Sequence, residues 1–185
     1  MLHRAHMVGA HQHGPNSQQE CLVCGVLDTH EHAFMHCPMA ACVWPALLEW
    51  TKHVWEAEKL TPPAPSVALC MLGLMPSGEH KYPPKWWQLM QHIALRWIWD
   101  THAQRLYGDD MMYGDPETLL SHIQQEFVSR LEWDWNKIMQ RHAKSHNATA
   151  HNKPSHMLQR RWGKVASCNK EGNEVGTMLA NNLPG

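Results

Sequence analysis

Apolar residues recur at helical spacing through most of the middle of the chain. From Pro38 to about Leu60, Val43, Leu47, Trp50 and Val54 share one face, and Trp44, Leu48 and Trp55 widen it. Pro45 is tolerated if the helix begins near Ala41 or restarts at Pro45, because first-turn amides need no intrahelical partner. Thr61 to Ser66 reads TPPAPS, a turn or linker, and Ser66 can cap a short helix through Leu74. Pro76-Ser77-Gly78 ends it. Pro83 and Pro84 precede a stronger helix, Lys85 to about Tyr107. Its face runs Trp86, Met90, Ile93 and Trp97, with Trp87, Ala94 and Ile98 alongside. Asp115-Pro116-Glu117 then supplies a cap, a first-position proline and a first-turn acid. The helix that follows reaches about Lys144, with Leu120, Ile123, Phe127, Leu131, Trp135 and Ile138 as its buried stripe. No segment before Val165 alternates as a strand does. Trp162 to Leu179 reads as a weak hairpin or as unstructured chain.

The fold class expected is mainly α. A small zinc knuckle (21–44) precedes a helical domain (45–145) of about three to four helices, within the size of a single modest core. A disordered His-rich leader (1–20) and a basic, largely disordered tail (146–185) flank them. Ten tryptophans and twelve methionines supply large, adaptable core volume. The tryptophans sit at helical spacing, which makes them core positions rather than a base-stacking platform.

The candidate chemistry lies at the N-terminal edge of this pattern. Cys21, Cys24, His32 and Cys37 read Cys-x2-Cys-x7-His-x4-Cys. Three thiols and an imidazole form the donor set of a closed structural zinc site, with no coordination position left for a substrate. The predicted cofactor is therefore Zn2+ in a structural role, and no enzyme activity is expected. His30, His36 and Cys42 are nearby alternatives; His30 can replace His32, whereas Cys42 is expected to face the first helix. His3, His6, His11 and His13 can collect stray metal.

Charge changes the picture by its distribution rather than its sum, which is -1 with histidine neutral. From Trp135 to Lys170 there are eight Lys or Arg residues and no carboxylate, whereas Trp99 to Asp134 carries eight acids and two Arg. The basic stretch suits phosphates or is simply a solvated helix end and tail. Six cysteines, three of them in the motif and Cys42, Cys70 and Cys168 left over, do not make a secreted disulfide framework. With no apolar N-terminal core, this predicts an intracellular protein, cytoplasmic or nuclear. The longest apolar run, Ser66 to Met75, is too short to span a bilayer, so no membrane partner is expected.

Tyr107-Gly108-Asp109-Asp110 spells a polymerase-like YGDD. It follows a helical stretch rather than a strand and lacks a second acidic strand, so it reads as a helix C-terminus and turn. A metal-dependent hydrolase or transferase using Asp109 and Asp110 with stray histidines is the enzymatic alternative.

The line from Cys21 to Trp44 resembles the zinc-binding segment downstream of the polymerase in non-LTR retrotransposon reverse transcriptases. The matching positions are Cys21, Cys24, Thr29, Glu31, His32, Ala33, Phe34, Cys37, Pro38 and Trp44. Leu72-Gly73, Leu95 to Trp99 and Arg161-Trp162-Gly163 are looser echoes. The polymerase and endonuclease parts of such elements are missing. The resemblance implies a non-catalytic module that contacts RNA or DNA, single-stranded or template. Candidate contacts are Phe34 for base stacking and Lys137, Arg141, Lys144, Arg160, Arg161 and Lys164 for phosphates. The alternative is a zinc-stapled protein-interaction module whose Trp- and Met-rich helices bind a protein partner, or a decayed fragment without activity.

Overall fold

Six helices follow one another from Pro38 to Trp162, and the computed structural model describes residues 19–75, 82–107, 115–144, 153–168 and 175–177. Helix α1 (Pro38–Ala41) is broken from α2 (Val43–Ala57) at Cys42. Pro45 therefore falls in the first turn of α2, where its missing N–H costs nothing. Val43, Leu47, Trp50 and Val54 are buried as their spacing requires. Helix α2 closes with Lys59 in the left-handed region (φ 61°) and a bond from Leu60 N to Trp55 O at 2.9 Å. That is a Schellman closure with lysine in the place glycine usually takes.

Ser66 caps α3 (Val67–Cys70) by accepting from Leu69 N at 3.2 Å. The helix stops short of Leu74, and Gly73 turns away at φ +64°. Helix α4 (Lys85–Tyr107) and α5 (Pro116–Ala143) have the expected bounds. Asp115 caps α5 twice, accepting from Thr118 N and from Thr118 Oγ1, both at 2.8 Å. The stripe of α5 is buried except for Leu120, which is half-buried, and Leu119 takes the core position beside it. Residues 76–81 and 108–114, which hold the Pro76-Ser77-Gly78 stop and the acids of the YGDD, lie outside the described residues, as does most of the leader.

Helices α4 and α5 are tied by Glu126. It accepts from Trp97 Nε1 at 2.8 Å and pairs with Arg96 and Arg130, while Trp97 stacks on His122 at 4.8 Å. The core beneath is aromatic. Trp55 meets Trp86 edge-on at 5.2 Å and Trp87 at 5.5 Å, and Trp50 meets Phe127 at 6.2 Å. Such edge-to-face pairs add about 0.5–1.5 kcal/mol each beyond area burial.

The expectation of a largely disordered tail fails over residues 154–168. Helix α6 (Pro154–Trp162) packs on α5, a 3-10 turn (Gly163–Val165) follows, and β1 (Ala166–Cys168) pairs antiparallel with β2 (Val175–Thr177). Leu158, Trp162 and Val165 are fully in the core. The physical reason is specific. Trp162 lies edge-on to Phe127 at 5.5 Å and its Nε1 donates to the buried Asp134 carboxylate at 2.9 Å. Arg161 pairs with the same oxygen at 3.0 Å. No described helix is long and apolar enough to cross a membrane.

Candidate metal centre

The chain from Gln19 to Asp28 folds back on itself as a short hairpin. Asp28 N donates to Gln19 O at 2.9 Å, and Glu20 bridges Leu27. At its tip Cys21 N donates to Val26 O at 2.7 Å and Gly25 N to Cys21 O at 2.8 Å. Gly25 sits at φ +72°, a conformation open to glycine at no steric cost, and this reverses the chain directly after Cys24. Cys21 and Cys24 are thereby held on one side of a tight turn.

The imidazole arrives from a different local structure. Thr29 starts a turn by accepting from His32 N through Oγ1 at 3.0 Å and from Ala33 N through its carbonyl at 2.8 Å. His32–His36 then forms a π-helical turn, closed by Cys37 N donating to His32 O at 2.7 Å. That i→i−5 bond is what the four-residue gap between His32 and Cys37 specifies. Trp44 Nε1 donates to Phe34 O at 2.7 Å and pins this turn to α2.

Cys21, Cys24 and His32 bring their donor atoms within 4.8 Å of one another. Cys24 Sγ lies 3.3 Å from His32 Nε2, and Cys21 Sγ lies 3.8 Å from Cys37 Sγ. Two thiolates on one tetrahedral zinc stand about 3.8 Å apart, given zinc–sulfur bonds of about 2.3 Å. The Cys21–Cys37 separation thus matches a coordination edge and is far from a disulfide, about 2.05 Å. Cys37 reaches the group through Cys21 and lies outside the mutually close set of three. Cys21, His32 and Cys37 are buried and Cys24 is exposed. A metal at this point is covered by protein on one side and closed at the rim by Cys24.

Two of the alternatives, His36 and Cys42, make contacts of their own. His36 pairs with Glu31 at 3.2 Å on the surface. Cys42 directs its thiol to the Pro38 and Met39 carbonyls, both at 3.6 Å, and burial raises its pKa. Cys70 is deeper, and burial pushes its thiol up to about 11.

Behind the group, the fully buried Asp28 accepts from His102 Nε2 of α4 at 3.0 Å. Burial pulls the His102 pKa below its ordinary value of 6.5, against the opposing pull of Asp28. This pair fixes the hairpin to the helical body. The sequence pattern offered no sign of it, since Asp28 and His102 stand 74 positions apart.

Phe34, expected as a base-stacking residue, is 8 % exposed and stacks on Trp99 at 6.1 Å. It is a core side chain, because the π turn directs it inward onto α4. Lys137, Arg141, Lys144, Arg160, Arg161 and Lys164 are all exposed, on α5, at its cap, and on α6 and the turn after it. Arg161 is committed to Asp134. The six lie on the α5–α6 side of the molecule.

Comparison with protein-family models, with curated proteins and with solved structures returns no match.

Proposed function

We propose that the protein is a non-catalytic, zinc-ordered helical module that binds nucleic acid and is similar in origin to the zinc-binding segment of non-LTR retrotransposon reverse transcriptases. The observation that carries the metal part is the convergence of Cys21, Cys24 and His32 within 4.8 Å, with Cys37 one coordination edge from Cys21. Soft thiolates with a neutral imidazole favour zinc over hard cations. Bound there, zinc supplies a cross-link between the π turn and the hairpin, whose own buried apolar surface is small. Leu22, Val23, Val26 and Leu27 all remain exposed. Metal binding to such segments is folding free energy.

The nucleic-acid part is supported by the six exposed cations on the α5–α6 side. They lie in a stretch of sequence free of carboxylates, although Arg161 pairs with Asp134. The metal then acts at a distance from the phosphates, as a staple rather than a contact.

Two measurements test the reading. Purified protein should hold one zinc per chain, and Cys24→Ser should lose it. Binding to an RNA or DNA oligonucleotide should weaken with salt. Three phosphate contacts give a log–log slope of about −2 for a single strand, or roughly 20-fold between 50 and 200 mM salt. Absence of zinc removes the metal reading, and a flat salt response removes the phosphate reading.

A second reading, protein docking, is favoured by one feature. A cleft of about 740 Å³ opens where the end of α3 meets α4, floored by Phe34, Leu95 and Trp99, with Leu72 and Tyr82 exposed at it. Under this reading Leu72→Asp abolishes partner binding and substitutions of Lys137 or Arg141 leave it intact.

A further inference from the structure

All ten tryptophans lie among the described residues, and nine are buried or half-buried. Trp133 alone is exposed, at 56 %. It stands on the outer face of α5, where nothing in the core requires an indole. Its neighbours on that face follow the four- and three-residue steps of an α-helix: Lys137, then Arg141, then Lys144 at the cap, all exposed. The Lys137 ammonium already lies over the indole, 5.4 Å from its centroid. Glu117 stands in the first turn of this helix, far from Trp133, and Glu126 shares the face about two turns before it. Glu126 is occupied by Arg96, Arg130 and Trp97, Asp134 is buried under Trp162 and Arg161, and Glu132 lies about a quarter-turn off the row.

We propose that this row is a track for a single nucleic-acid strand, with an unpaired base stacked on Trp133 and its backbone running along Lys137, Arg141 and Lys144. The inference rests on the nucleic-acid reading above and deepens it, because it names the strandedness and the stacking residue. An exposed indole has a π face that any base can cover, and duplexed bases are not free to do so. The cations that follow along the helix supply the phosphate attraction. From residue 133 to 144 the helix rises about 16 Å, which matches four to five nucleotides at a stacked rise of about 3.4 Å. The tryptophan that serves is thus the one the core leaves out, while Phe34 is consumed by packing.

The test is fluorescence anisotropy of the zinc-loaded full chain with a labelled 12-nucleotide oligo-uridine, and with a duplex of the same length. Wild type should prefer the single strand. Trp133→Ala should weaken single-strand binding by about 5- to 100-fold, as loss of one stacked base does, with the salt slope unchanged. Trp133→Phe should restore most of it. Lys137→Ala and Arg141→Ala should each make the slope shallower by about 0.7. Trp133 and the row are solvent-facing, so unfolding midpoints should stay at wild type and confirm that folding is intact. If the charge variants weaken binding and Trp133→Ala does not, the stacking inference is wrong and the nucleic-acid reading survives. Equal binding of duplex and single strand also overturns the inference. If wild type binds neither at 50 mM salt, both are overturned.

Discussion

Asp134 is a buried carboxylate claimed by two partners from one helix turn. Trp162 Nε1 and Arg161 both reach Oδ2, at 2.9 and 3.0 Å. Replacing Asp134 with Ala strands the indole N–H and removes the acceptor for a cation, a loss of about 1–3 kcal/mol. A urea titration measures it, and the loss should exceed that from Glu132→Ala on the exposed side of α5. Gly163 carries a comparable constraint. At φ +59° and ψ −137° it occupies a region nearly closed to other residues, and a Cβ there would strike the Glu58 carboxylate that accepts from Lys164 N. Gly163→Ala should cost about 1–3 kcal/mol of stability, read from the same titration.

At the scale of elements, the knuckle and the bundle respond to different things. Hairpin 19–28 has few buried apolar side chains of its own and leans on Asp28 and, in the proposed reading, on a metal ion. Helices α4 to α6 lean on tryptophan packing. Chelation of the metal should therefore speed amide exchange in residues 19–37 while α5 and α6 keep their protection. Exchange lost uniformly across the chain would contradict this. Helices α2, α4 and α5 were legible in the sequence because each buries a stripe at helical spacing, and the starts of α3 and α5 because Ser66 and Asp115 are capping residues in capping positions. The Cys21, Cys24 and His32 group was legible because metal-ligand chemistry demands particular residue types. Helix α6 was not, since its nine residues offer only Leu158 and Trp162 to the core and otherwise look like a polar tail. The Asp28–His102 link and the inward turn of Phe34 were hidden for another reason. Both depend on how the π turn meets α4, which no local pattern encodes.

For the whole molecule, acid should act through His102. Its folded pKa is lowered, so the unfolded chain takes up the proton first as pH falls below 6.5. The stabilisation is complete above 6.5 and drains as pH drops from there toward the folded value. Denaturation midpoints between pH 7 and 5 should fall more steeply for wild type than for His102→Asn. Running the two proteins together cancels protonation of the metal donors, which they share.

The docking of α6 decides where the chain can be shortened. A fragment ending near residue 145 keeps the knuckle and the four longest-range aromatic contacts of α2, α4 and α5, and by composition looks sufficient. It would nonetheless uncover Phe127 and strip Asp134 of both its donors. A protease cut in the stretch between α5 and α6 would release nothing so long as the nine-residue helix stayed seated, and the severed piece should co-purify with the remainder until urea separates them.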